Sequence, residues 1–239
     1  MSVLAYIPAR AGSKRIPRKN VRNLGGKPVL AHVIESIRRS GIADRVVVST
    51  DDLGIKKIAE SAGADVLALR SAKLSTDRVT LMELLKEDVP RHLDEFRLLP
   101  SKTTVLFTLA TAALVDAAIY RKAYEAYTSK KASVLVATTG FSHSPFRALV
   151  QTSERCWQPL FPKKLLTFSQ ELPKTQVDAG LFYFLDFARI SRHKGHWFNV
   201  PKGLLCHPVP AEVAVDVDTE EDWRELERKY RELHGTRRR

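Results

Sequence analysis

Cysteine and long apolar runs are what this 239-residue chain has least of. Cys156 and Cys206 stand far apart and in no paired motif, so neither a disulfide framework nor a structural zinc spacing can be written; both read as reduced thiols. His193, His196 and His207 do not supply a zinc pattern with Cys206 either, and read as surface or turn histidines. No apolar run approaches the ~20 residues needed to span a bilayer. The most apolar stretch, residues 105–115, is too short and is interrupted by Thr108 and Thr111. No basic region precedes the first apolar stretch, and Pro8 and Arg10 cut it short, so a secretory signal is not expected and a cytoplasmic protein is. Phosphate loops of the common kinds are missing as well: neither G-x-x-x-x-G-K-[ST] nor G-x-G-x-x-G occurs.

Acidic charge is the last scarcity. With 27 Asp and Glu against 39 Lys and Arg, the formal net charge is +12. Such a surplus suits nucleic acid, an anionic membrane or a phosphorylated substrate. Without zinc-finger spacing, an RNA-binding aromatic motif or a basic heptad, nucleic acid is not the expected partner, and the basic residues 237–239 read as a nonspecific cluster or tail.

What is present is an alternation of apolar and amphipathic runs. Strands are expected near residues 2–8, 45–50, 65–69, 103–109 and 133–139, and helices near 28–40, 53–62, 79–99 and 115–130, with Pro90 breaking or kinking the third helix. This is the pattern of an α/β fold: a mostly parallel sheet with crossover helices on both faces, in a single domain over residues 1–239. From about 140 to 186 the composition changes to short apolar runs, opened by Ser142, His143, Ser144 and Pro145.

The first strand runs into residues 7–24, IPARAGSKRIPRKNVRNL, which carry Arg10, Lys14, Arg15, Arg18, Lys19 and Arg22, with no acid before Glu35. Charge runs are commonly plain solvated surface. Here, however, the loop leaves a strand's carboxyl end, the edge where open α/β sheets bind ligands. Gly12 beside Ser13 offers positive φ or close approach to a phosphate, with loop N–H groups and guanidinium forks as donors.

Near the other end, residues 214–223 read AVDVDTEEDW. In an extended segment Asp216 and Asp218 share a face. Thr219 caps a helix, with Asp222 completing a variant capping box and Trp223, Leu226, Tyr230 and Leu233 as its apolar stripe. Helix starts favour acids, which accounts for Asp218 but not for Asp216. Two carboxylates in a basic chain suit a divalent cation, and magnesium commonly takes one or two carboxylates plus substrate phosphates. Ser49, Thr50, Asp51 and Asp52 read as a cap for the second helix.

The string IPARAGSKRIPRKN resembles the nucleotide-binding signature I-P-A-R-x-x-S-K-x-x-P-x-K-N of the cytidylyltransferases that activate nonulosonic acids and Kdo as CMP-sugars. The resemblance implies a Rossmann-like nucleotidyltransferase fold, CTP as substrate and Mg2+ as cofactor. It implies that Arg10, Ser13, Lys14 and Lys19 hold the triphosphate and Asn20 the α-phosphate or ribose region. Residues 70–77, RSAKLSTD, are similar to the family's L-R-P-x-x-L-x-x-D, so Arg70 is expected to read the cytosine; Arg78 departs from the small hydroxyl residue usual there. Residues 216–222 fit D-[IV]-D-T-x-x-D, which assigns the metal to Asp216 and Asp218. Arg10, Lys19, Asp216 and Asp218 are the catalytic candidates.

Residues 169–173 (SQELP) and 178–183 (DAGLFY) look most like the pseudaminic acid branch, with R-S-Q-D-L-P and D-A-G-Q-F-Y. Thr111, Gln170 and Asp178 are the expected sugar contacts. Leu109, Phe168 and Val177 replace a glutamine, an arginine and a polar residue, and Lys163, Lys164 or Lys174 are left to balance the acid. The resemblance also implies that residues 140–186 form a β-rich arm that packs on a second subunit as a homodimer. The implied reaction moves CMP from CTP to a pseudaminic acid-like nine-carbon acid. Sialic, legionaminic and Kdo-type acids, or nucleotide binding without transfer, are the alternatives.

Overall fold

Leu4 to Ile7 are wholly buried, and they lie in the strand from which the rest of the sheet spreads. In the computed structural model, which describes residues 1–200 and 203–235, the elements follow in this order. They are β1 (Ser2–Pro8), β2 (Asn23–Leu24), β3 (Lys27–Pro28), α1 (Val29–Ser40), β4 (Arg45–Ser49), α2 (Leu53–Ser61) and α3 (Leu81–Glu83). A π-helical turn (Leu84–Asp88), α4 (Val89–Glu95), β5 (Thr103–Thr108), α5 (Ala117–Ser129) and β6 (Val134–Thr139) come next. β7 (Leu149–Ser153), β8 (Cys156–Pro159), β9 (Val177–Asp186), α6 (Phe187–Ser191), β10 (Leu204–Pro208) and α7 (Glu220–Gly235) complete the chain. The basic residues 237–239 lie outside the described residues.

Six strands form one sheet in the order β10-β6-β9-β5-β1-β4. β1 pairs in parallel with β4 and β5, and β6 with β10; only β9 runs antiparallel to its neighbours β5 and β6. Period-two alternation sends Val3, Ala5 and Ile7 toward α1, α5 and α7, where Val33, Ile34, Ile37, Tyr120 and Trp223 join them. Leu4 and Tyr6 face the other way, onto Leu85, Val89, Leu93, Phe107 and Trp197. Both faces are covered, so the expected α/β architecture stands.

Three expectations change. Residues 65–69 form no strand: Asp65 alone bridges Val47, and the half-exposed residues after it have no sheet face to bury. The segment instead runs to Arg70, whose N–H donates to the Thr50 carbonyl at 2.7 Å. The helix expected over 79–99 is three pieces, because Pro90 is tolerated only in the first turn of α4 and the preceding turn widens to π geometry. The segment 140–186 divides: β7 and β8 form a separate hairpin, whereas β9 enters the central sheet because residues 179–185 are apolar enough to be buried on both faces.

Residues 214–218 are extended without a ladder partner. Val215 and Val217 are buried, so Asp216 and Asp218 share the outward face. The Asp222 carboxylate accepts from the Thr219 N–H at 2.7 Å while Thr219 Oγ1 accepts from the Asp222 N–H at 3.2 Å, as the capping box predicts. Trp223 and Leu226 are buried, but Leu233 is exposed and the stripe ends at Tyr230, whose ring leaves room at the Gly25 turn only for glycine.

Candidate active site

The basic loop after β1 is tied to the end of β4 and to its own Asn20 by hydrogen bonds. Ala9 N–H donates to the Ser49 carbonyl at 2.9 Å, Ala11 N–H to Asp51 Oδ1 at 2.9 Å, and Asn20 Nδ2 to the Arg10 carbonyl at 2.9 Å. The left-handed residue is Arg18, with φ 54°; Gly12 keeps an ordinary φ, so of its two expected uses only close approach remains. Asp52 accepts from the Ile55 N–H at 2.7 Å and caps α2.

The loop then meets the carboxylate segment. Arg15 Nη2 lies 2.8 Å from Asp218 Oδ1, Lys19 Nζ donates to the Val217 carbonyl at 2.6 Å, and Arg22 Nη1 reaches both carboxylate oxygens of Glu220 at 2.8 Å. The Arg22 guanidinium also lies over the Trp223 ring, 4.6 Å from its centroid. Opposite stands Arg70, 4% exposed; its Nε donates to Ser75 Oγ at 3.3 Å, and its Nη1 is buried with no hydrogen-bond partner. Lys14 pairs with Asp77 at 2.5 Å, which holds the Asp77 carboxyl below the usual carboxylate range.

These walls enclose a cleft of about 490 Å³. Arg10, Ser13, Lys14, Lys19, Asn20, Arg70 and Asp218 line it, over apolar residues that include Leu74, Val79, Leu84 and Leu109. Asp216 is outside the lining. Its carboxylate makes no hydrogen bond or ion pair with the described residues and is pushed up by burial, then by Asp218 and Asp178, against the pull of Lys19. Beneath the cleft, Asp88 is 2% exposed and accepts from Tyr6 and Ser49 hydroxyls at 2.6 Å each. Burial pushes its carboxyl up, but bonds from His92, Ser49 and Tyr6 and the Arg91 charge outweigh burial and hold it well below the carboxylate range.

A basic cleft with a buried guanidinium whose Nη1 has no partner, and with an acidic segment, fits a nucleotide. The cytidylyltransferase family model matches residues 4–152. A pseudaminic acid cytidylyltransferase of Campylobacter jejuni is 32% identical over 228 residues, covering 93% of either chain. The chain belongs to the cytidylyltransferase family. A CMP-N,N'-diacetyllegionaminic acid synthase of Legionella pneumophila is also 32% identical, over 98% of either chain. In fold, the structure of a CMP:2-keto-3-deoxy-manno-octonic acid synthetase complexed with CTP superposes with a TM-score of 0.68 at 14% identity, covering 98% of this chain and 100% of that one.

Among the residues this cytidylyltransferase was expected to use on the sugar, none lines the cleft. Thr111 is 5% exposed in the turn after β5, and Gln170 is exposed in the arm. Asp178 is engaged internally, by Tyr183 and Gly180. Arg15 and Asp77 were present in the quoted motifs but not singled out. Their signal is opposite charge, and only folding reveals which acid each cation meets.

Proposed function

We propose that the protein transfers CMP from CTP to the anomeric hydroxyl of a pseudaminic acid-like nonulosonic acid, releasing pyrophosphate. The observation that carries this reading is the closure of one cleft by the basic loop and the carboxylate segment, joined by Arg15 and Asp218 across 203 residues of sequence. The activities named for the full-length relatives support the same class. Arg10, Ser13, Lys14 and Lys19 surround the triphosphate, and Asn20 keeps the loop closed beside the α-phosphate or ribose. The free N–H of Arg70 addresses the carbonyl and ring-nitrogen acceptors of cytosine.

The donor set fits magnesium. Asp216 has a carboxylate without a protein partner beside that of Asp218, and no group of three or more His, Cys, Asp or Glu able to hold a metal occurs among the described residues. Asp216 and Asp218 would hold the cation by their carboxylates. It would supply charge that polarises the α-phosphate. The chain's own contribution is positional: Lys19, anchored on the Val217 carbonyl, and the loop cations stabilise the negative charge that grows as the bond to pyrophosphate lengthens.

On the arm, Trp157, Phe168 and Leu166 are 61%, 67% and 96% exposed. A second copy of the chain covering them gives a homodimer, with Gln170 and the nearby lysines turned to the sugar acid. The exposed thiols of Cys156 and Cys206 suit a reducing cytoplasm. The test is a panel of pseudaminic, legionaminic, N-acetylneuraminic and Kdo acids with CTP and Mg2+, scored by pyrophosphate release. Fastest release with pseudaminic-type acids is expected. CTP binding in calorimetry without release on any acid overturns transfer and leaves a nucleotide-binding homologue.

A further inference from the structure

An irregularity of the central sheet lies directly behind the carboxylate segment. Along β5, the pairing of β9 is regular from Asp186 to Phe182; along β6 it jumps from Val136–Tyr183 to Thr138–Asp178. Residues 179–182 of β9 thus oppose Ala137 alone. The Asp178 side chain spans this bulge, accepting the Tyr183 hydroxyl on Oδ2 at 2.6 Å and the Gly180 N–H on Oδ1 at 3.0 Å. Gly180 is buried and left-handed, with φ +62°. A Cβ there would stand 2.5 Å from Cγ of Asp216 and 2.7 and 2.9 Å from its oxygens.

The Asp216 carboxylate therefore rests on bare backbone. With no hydrogen bond of its own, its direction is set by the shape beneath it, and bulges beside active sites commonly re-aim a neighbouring side chain. We propose that Asp178, Gly180 and Tyr183 form a clamp that positions Asp216 for the divalent cation, which makes Asp178 a positioning residue and not a sugar contact. This rests on the reading that Asp216 and Asp218 hold that cation. Asp178 spends one lone pair of each oxygen on a donor inside the bulge, which ties it to Tyr183 and to the N–H of the left-handed Gly180 that lies against Asp216. The Tyr183 ring packs against Trp197, 5.1 Å between centroids, which fixes the far end of the clamp.

The experiment measures Mn2+ binding by electron paramagnetic resonance to protein saturated with CTP, without sugar acid, alongside metal-free CTP affinity and the thermal midpoint. Tyr183→Phe keeps the ring packing and removes only the clamp's donor. It and Asp178→Asn are expected to weaken Mn2+ by about tenfold to a hundredfold, as loss of a group that orients a metal ligand does, with CTP affinity unchanged. Gly180→Ala is expected to lose Mn2+ as completely as Asp216→Asn; if it does not fold, Tyr183→Phe and Asp178→Asn still decide. Wild-type Mn2+ binding in both overturns the clamp, as does an Asp178→Asn effect confined to the KM of the acid. If Asp216→Asn itself retains Mn2+, the metal seat fails and the clamp fails with it.

Discussion

Lys19 is among the most constrained cations of the cleft, since its ammonium is both held by the Val217 carbonyl and within 3.5 Å of Asp218. Lys19→Ala is expected to lower turnover by about 10²–10³, the loss of about 2.7–4 kcal/mol typical of removing one preorganised donor. Steady-state rates at saturating CTP check it, and an unchanged rate removes Lys19 from catalysis. Arg70 makes a different demand, because its Nε and its free Nη1 act from one planar group. A lysine offers a point charge in place of that fork. Arg70→Lys is expected to weaken CTP binding about tenfold, the equivalent of one hydrogen bond to a charged donor, and to narrow the preference for CTP over UTP in competition binding. Equal preference loss in a distant surface control would sink that role.

Between elements, the Asp88 carboxylate ties β1 through Tyr6, the end of β4 through Ser49 and α4 through His92. The same end of β4 leads to Thr50, which holds Arg70 by its backbone. The sign of its pH effect follows from the depressed carboxyl. Stabilisation is complete above the unfolded value of about 3.9 and is lost as pH falls below it through the lower folded value. Asp88→Asn is expected to destabilise the fold at pH 7, with the gap to wild type closing below about pH 4. Urea unfolding at a series of pH values measures it, and a pH-independent gap would contradict the account.

On the scale of the whole molecule, the arm exposes more apolar side chain than an isolated hairpin can shelter, with Leu149, Trp157, Leu160 and Leu166 all open to solvent. Trp157→Asp is expected to convert the proposed homodimer to a monomer in sedimentation velocity while leaving CTP binding intact. A wild-type monomer would refute the assembly. Much of this architecture was legible beforehand, because it depends on local periodicity. The apolar run of residues 2–8, the stripe of α1, the capping box of Thr219 and Asp222 and the shared face of Asp216 and Asp218 are each decided by neighbours within a few positions. What local order could not supply are contacts that depend on closure of the chain. No spacing reveals that β9 leaves the arm for the sheet, that Arg15 finds Asp218, that Arg70 is buried, or that Asp178 turns inward to brace Gly180 under Asp216. The sequence by itself determined a basic loop after the first strand, an acidic pair and an α/β frame, since side-chain chemistry and backbone period suffice for those. The tertiary structure alone decided which charges meet and which carboxylate is left unpartnered, because burial and distance exist only once the sheet has brought the two ends together.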